Sequence, residues 1–154
     1  MDDRTNPTRA ARYEEDLYSW AVEQAALLRA GKITEADARN IAEELDDVGS
    51  RQYDKLEGAL RLILRHLLKW DHEPAGRSRA RYATIAIQRN LVRKVLRKSP
   101  GLNSLVDEAI TDAYLDARIE ASAEIGRHEE TFPARCPYSW EQVTQRPIDW
   151  PSMH

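Results

Sequence analysis

Two charged constellations have residue types and spacing that could do chemistry. Glu43 and Glu44 are adjacent and Asp47 follows within one helical turn, so three carboxylates can gather on one side of a helix. Oxygen ligands of that kind suit Mg²⁺, which keeps several of its own waters. The same acids can instead face solvent or pair with Arg39 or Lys55. The second constellation is cationic. Residues 77–98 hold eight basic side chains and no acid. Arg89, Arg93 and Arg97 stand four apart, so they line one helix face, and Arg79 falls close to that stripe. Such a stripe can hold phosphate groups of a nucleic acid, a nucleotide or an anionic lipid. It can also be neutralised from within, because Glu108, Asp112, Asp116, Glu120 and Glu124 recur every four residues further along. If the two helices are antiparallel neighbours across Pro100-Gly101, the stripes can meet along one edge.

The carboxylate triplet resembles the metal-binding helix of the all-helical nucleotide pyrophosphatases, which hold Mg²⁺ through Glu-Glu-x-x-Glu. That resemblance implies a second acidic pair spaced Glu-x-x-Asp on a neighbouring helix. The pair is missing beyond Leu56 on the same helix, where Glu57 has no acid three residues on and the next acids, Asp71 and Glu73, stand at the helix end. His66 lies in the most apolar helical stretch and reads either as a hydrogen-bonded core residue or as a fourth metal candidate beside Glu43, Glu44 and Asp47. Candidate carboxylate partners for it are Asp16, Glu43 and Glu44. There is no Glu-x-x-His pair, no glycine-rich phosphate loop and no Gly-x-Ser-x-Gly, so no cofactor is implied. Cys136 is the single cysteine, with no histidine beside it in sequence.

The elements that must position these groups read as helices. Tyr13, Leu17, Trp20, Ala21, Leu27 and Leu28 recur at helical spacing over about Arg12 to Ala30, with Gln24 the one polar member and Gly31 as C-cap. Thr34 opens a second helix with Asp37 three residues on, and an apolar register from Ile41 through Leu45, Val48, Leu56, Leu60, Ile63 and Leu67 to Trp70 carries it to about Asp71. A single helix there is ~55 Å long, so a break near Gly49 is the alternative. Ser78 caps a third helix to Ser99, and a fourth, rich in alanine, runs from about Asn103 to Ile125 before Gly126. Residues 127–154 interleave four prolines with Phe132, Tyr138, Trp140 and Trp150, which predicts an ordered wrap with one helical turn near Ser139 to Val143. If Trp140 and Trp150 are both exposed, they suggest a protein-binding patch. No stretch alternates with period two, so no strand is expected.

The chain has 154 residues, enough for one domain that buries roughly 70% of its unfolded surface. The expectation is therefore a single helical domain over 1–154, with a flexible arm at 1–11 and the wrap at 127–154. Charged residues are 32% of the total, yet the net charge is only −3 and the pI is near 5.8, which argues against a dedicated DNA binder. One cysteine, a polar N-terminus and the lack of any apolar run of membrane-spanning length point to a cytoplasmic protein with no membrane partner.

Four segments resemble the bacterial all-helical family known as domain of unknown function number twenty-nine. They are Tyr13 to Trp20, Asn40 to Leu45, His66 to Trp70, and Thr131-Phe132-Pro133 with Cys136-Pro137-Tyr138. The resemblance spans about Tyr13 to Trp150 and implies a helical bundle but no reaction. The expected architecture is all-α, a four- to five-helix bundle with an aromatic, proline-rich C-terminal wrap. By elimination of catalytic constellations, the expected role is a non-catalytic interaction module that binds another protein or a second copy of itself. Phosphate or nucleic-acid binding through Arg79, Arg89, Arg93 and Arg97 is the first alternative. A metal-dependent hydrolase using Glu43, Glu44 and Asp47 is the second.

Overall fold

The computed structural model describes residues 9–152, which form six α-helices linked by short 3₁₀ turns, with no strand among them. The first eight residues of the expected N-terminal arm lie outside the described residues, and Arg9 to Ala11 begin a helix. Among the described residues no helix is long and apolar enough to cross a membrane. Contacts divide the molecule into two compact units that meet in sequence at Ser50–Arg51.

The first unit is a helical hairpin with a short leading helix. The helix expected from Arg12 to Ala30 is two, α1 (Arg9–Glu15) and α2 (Leu17–Arg29), because Asp16 leaves helical geometry and caps α2. Its carboxylate accepts from Ser19 N at 3.0 Å. After a 3₁₀ turn at Ile33–Glu35, α3 (Ala38–His72) begins. Its cap is Asp37 rather than Thr34. Asp37 takes the Asn40 side chain at 2.7 Å and the Trp20 indole at 3.3 Å, and its own N–H donates to Gln24 Oε1 at 2.8 Å. That cluster ties α2 to the start of α3 and explains Gln24, the polar residue in an otherwise apolar face. Helix α3 passes Gly49 unbroken: no proline interrupts it, and nothing crowds the glycine.

The second unit holds the core. The C-terminal half of α3, α4 (Arg79–Lys98) and α5 (Val106–Ile125) bury Leu56, Leu60, Ile63, Leu64, Leu67, Ile85, Val92, Ala113 and Tyr114. Ser78 caps α4 by accepting from Arg81 N, and Gly126 ends α5 at φ 71°, a left-handed geometry that favours glycine. Alanines 109, 113, 117 and 121 are fully buried, which lets α5 lie close to its neighbours. The C-terminal segment closes the unit. Phe132 and Val143 insert into the core, and α6 (Trp140–Gln145) starts with a capping box between Ser139 and Gln142.

Candidate functional site

The acidic stripe of α5 does not meet the basic stripe of α4. It faces α3, where Arg61, Arg65 and Lys69 also recur every four residues. Arg65 reaches Glu120 at 3.0 Å and Glu124 at 3.7 Å, Arg61 reaches Glu120 at 3.7 Å, and Lys69 pairs with Glu124. Tyr53 donates to Asp112. Burial pushes the Glu124 carboxyl up, but Lys69 and Arg65 outweigh it and hold the group below the usual carboxylate range. The matching spacing on α3 was visible in the sequence; chain adjacency of α4 and α5 pointed to the wrong partner.

Helix α4 therefore spends its cations differently. Arg89 reaches across to the end of α6, donating to the carbonyls of Val143 at 2.9 Å, Arg146 at 2.7 Å and Gln142 at 3.1 Å. One planar guanidinium thus satisfies three carbonyls at a helix C-terminus. Arg79 lies over the Trp150 ring at 5.1 Å. Trp150 is exposed, but Trp140 packs against the core, so the two do not form an exposed aromatic pair. Arg81 pairs with Glu73 at 2.9 Å. Arg93, Lys94, Arg97 and Lys98 are exposed and form no ion pair among the described residues, Arg93 bonding only to Asn90. Of the expected stripe, Arg93 and Arg97 remain available and Arg89 does not.

The C-terminal segment is also held by Asp71 at the end of α3. Its two oxygens accept a forked pair from Arg146 at 2.7 and 2.8 Å, and Tyr138 donates to it at 2.7 Å. Burial raises the Asp71 carboxyl, yet the Arg146 and Tyr138 hydrogen bonds prevail and hold it low. No local pattern announces a contact between residues 71 and 146.

Glu43 and Asp47 are exposed on α3, while Glu44 is half-buried and accepts the Tyr13 hydroxyl at 2.7 Å. Neither Arg39 nor Lys55 bonds to them among the described residues. No group of three or more His, Cys, Asp or Glu residues is placed to hold a metal among the described residues. His66 belongs to the second unit. It is buried, its Nδ1 has no partner, and desolvation with Lys69 and Arg65 nearby pulls its pKa down to about 4. It is thus a neutral core imidazole. Cys136 is half-buried, and burial pushes its thiol up, away from nucleophilic use.

The surface that stands out is apolar. Among the described residues, seven of the twelve exposed large apolar side chains lie between Leu17 and Val48, where the buried side chains are Trp20 and Gln24. Ala21, Ala25 and Leu28 of α2 and Ile41, Leu45 and Val48 of α3 line a groove of about 230 Å³, completed by Trp20, Gln24 and Glu44. Leu28 is 45%, Leu45 66% and Val48 51% exposed. Ten acidic residues stand against four basic ones between Arg12 and Ser50, a net charge of −6. From Asn40 to Ser50 there are four acids and no base. The periodicity of these residues marked a face to be covered; it did not say that Leu28, Leu45 and Val48 would stay exposed.

A family model described as a domain of unknown function, DUF29, matches residues 12–148. The chain belongs to the DUF29 family. No curated protein and no solved structure is significantly similar to it. The span matched to DUF29 takes in the whole apolar groove, the α3–α5 ion pairs and the Asp71–Arg146 contact.

Proposed function

We propose that this DUF29 protein is a non-catalytic interaction module that docks a segment of another protein in the apolar groove between α2 and α3. The observation that carries the reading is the open face of the first unit. A two-helix hairpin cannot enclose an apolar stripe by itself, and the stable solution for such a stripe is a further packed element. Leu28, Leu45 and Val48 are unusually exposed for residues facing each other across a groove. No group of three or more His, Cys, Asp or Glu residues is placed for metal chemistry among the described residues, and Glu44, the acid in the groove, accepts the Tyr13 hydroxyl. The single half-buried thiol is compatible with a cytoplasmic setting.

Selection of helix-forming peptides on the wild-type protein, with counter-selection on Leu45→Glu and Val48→Glu, tests the reading. Both positions are solvent-exposed, so the variants keep their fold to within about 0.5 kcal/mol. Peptides that bind the wild type and lose at least tenfold in affinity on the variants support it. A selection yielding no groove-dependent binder refutes it.

A second reading has one observation in its favour. Because α3 takes up the acids of α5, the cluster Arg93, Lys94, Arg97 and Lys98 has no ion-pair partner among the described residues. Those four cations would bind phosphate groups of a nucleic acid without base preference. Affinity for mixed DNA or RNA should then fall steeply with salt and weaken on Arg93→Glu. Absence of any salt-dependent binding removes this reading.

A further inference from the structure

From the groove and its charge, we infer that the occupant is a cationic amphipathic helix of a different protein; this rests on the docking role proposed above. The groove runs from Ala21 to Leu28 on α2 and from Ile41 to Val48 on α3. At 1.5 Å per residue each wall is about 10 Å long, the rise of two helical turns. An apolar stripe at i, i+4 and i+7 on a third helix matches that length and completes a three-helix packing unit.

Charge selects among the occupants such a stripe allows. The hairpin carries −6 between Arg12 and Ser50, and its α3 wall has four acids and no base from Asn40 to Ser50. Glu43, Asp46 and Asp47 are exposed, so their field reaches a docked chain. A second copy seated hairpin to hairpin brings two surfaces of −6 together, and an anionic membrane meets the same repulsion. A helix with lysines and arginines flanking its apolar stripe gains where those two lose.

The test uses two designed helices of about 18 residues with the same leucine stripe, one flanked by lysines and the other by glutamates. Their binding to the full chain is measured at low and high salt, together with sedimentation of the free protein and its binding to vesicles of anionic lipid. The lysine helix should bind at least about tenfold tighter at ~0.1 M salt, and the gap should shrink severalfold near 1 M as screening sets in. Glu43→Lys with Asp47→Lys should narrow the gap at low salt, and Val48→Asp should weaken both helices. Equal affinity for the two helices, with Val48→Asp still weakening both, overturns the cationic assignment and leaves the docking role standing. Failure of both helices to bind, in a monomer that also ignores vesicles, overturns the docking role itself. A dimer broken by Val48→Asp, or vesicle binding lost in that variant, assigns the groove to a second copy or to a lipid surface and overturns the inference.

Discussion

Replacing Asp71 by asparagine should release the C-terminal segment. Asp71 accepts two N–H groups of Arg146 and the Tyr138 hydroxyl, and both Asp71 and Arg146 are less than a third exposed. An exposed pair contributes ~0–1 kcal/mol, and breaking a buried one costs about 3–5 kcal/mol. This pair lies between, and the substituted side chain would also turn an amide donor toward one of the three donors. A loss of about 2–3 kcal/mol follows, with a coupling of about 2 kcal/mol in a cycle with Arg146→Met. Urea unfolding of the four proteins gives the coupling. Amide exchange locates the effect, which should be faster across Ser139 to Arg146 and unchanged in the middle of α5. A coupling below about 0.5 kcal/mol, with α6 still protected in the single variant, would show that Asp71 does not anchor the segment. The low carboxyl pKa adds a sign: the anchor is at full strength above the ordinary carboxylate range and is lost as pH falls through the depressed value.

Arg89→Met should cost about 2–3 kcal/mol by removing the side-chain donor from the Val143 and Arg146 carbonyls and leaving Gln142 O only its bond from Arg146 N, and Arg89→Lys should restore less than half of it, since an ammonium cannot fork across all three; chemical denaturation reads both. His66 is held neutral with a pKa of about 4 against an ordinary 6.5, so its contribution is complete above pH 6.5 and is lost as pH falls toward 4; the expected loss is roughly 3 kcal/mol, and His66→Leu should flatten the stability curve over that window. Tyr13, hydrogen-bonded to Glu44, has its phenol pushed up to about 12, and ultraviolet titration should show it returning toward 10 in Glu44→Gln.

Much of the second unit was legible because local signals and burial agree there. The dense apolar run from Leu56 to Trp70 is the core, and Ser78, Gly126 and Ser139 bound their helices as capping chemistry requires. The first unit was harder. Glu14, Glu15 and Asp16 suit the first turn of one long helix as well as the cap between two, and the choice depends on the Asp16 side chain reaching Ser19 N. Thr34 and Asp37 are both competent caps three residues apart, and the contacts of Asp37 with Trp20 and Gln24 decide in its favour. For the candidate site, the residues were visible but their partners were not. Residues every four apart define a stripe on α3, α4 and α5 alike, and only packing pairs α3 with α5 and turns Arg89 onto α6. Likewise, Leu28, Leu45 and Val48 keep the same helical register as buried residues, so their exposure is a property of the fold and not of the pattern.

The most direct test is methyl-resolved NMR of the full chain during titration with a peptide selected on it. The methyls of Leu28, Ile41, Leu45 and Val48 should shift together and saturably, while those of Ile85 and Val92 in the second unit stay in place. Shifts confined to α4 or the C-terminal segment, with the four groove residues unmoved, would contradict the account.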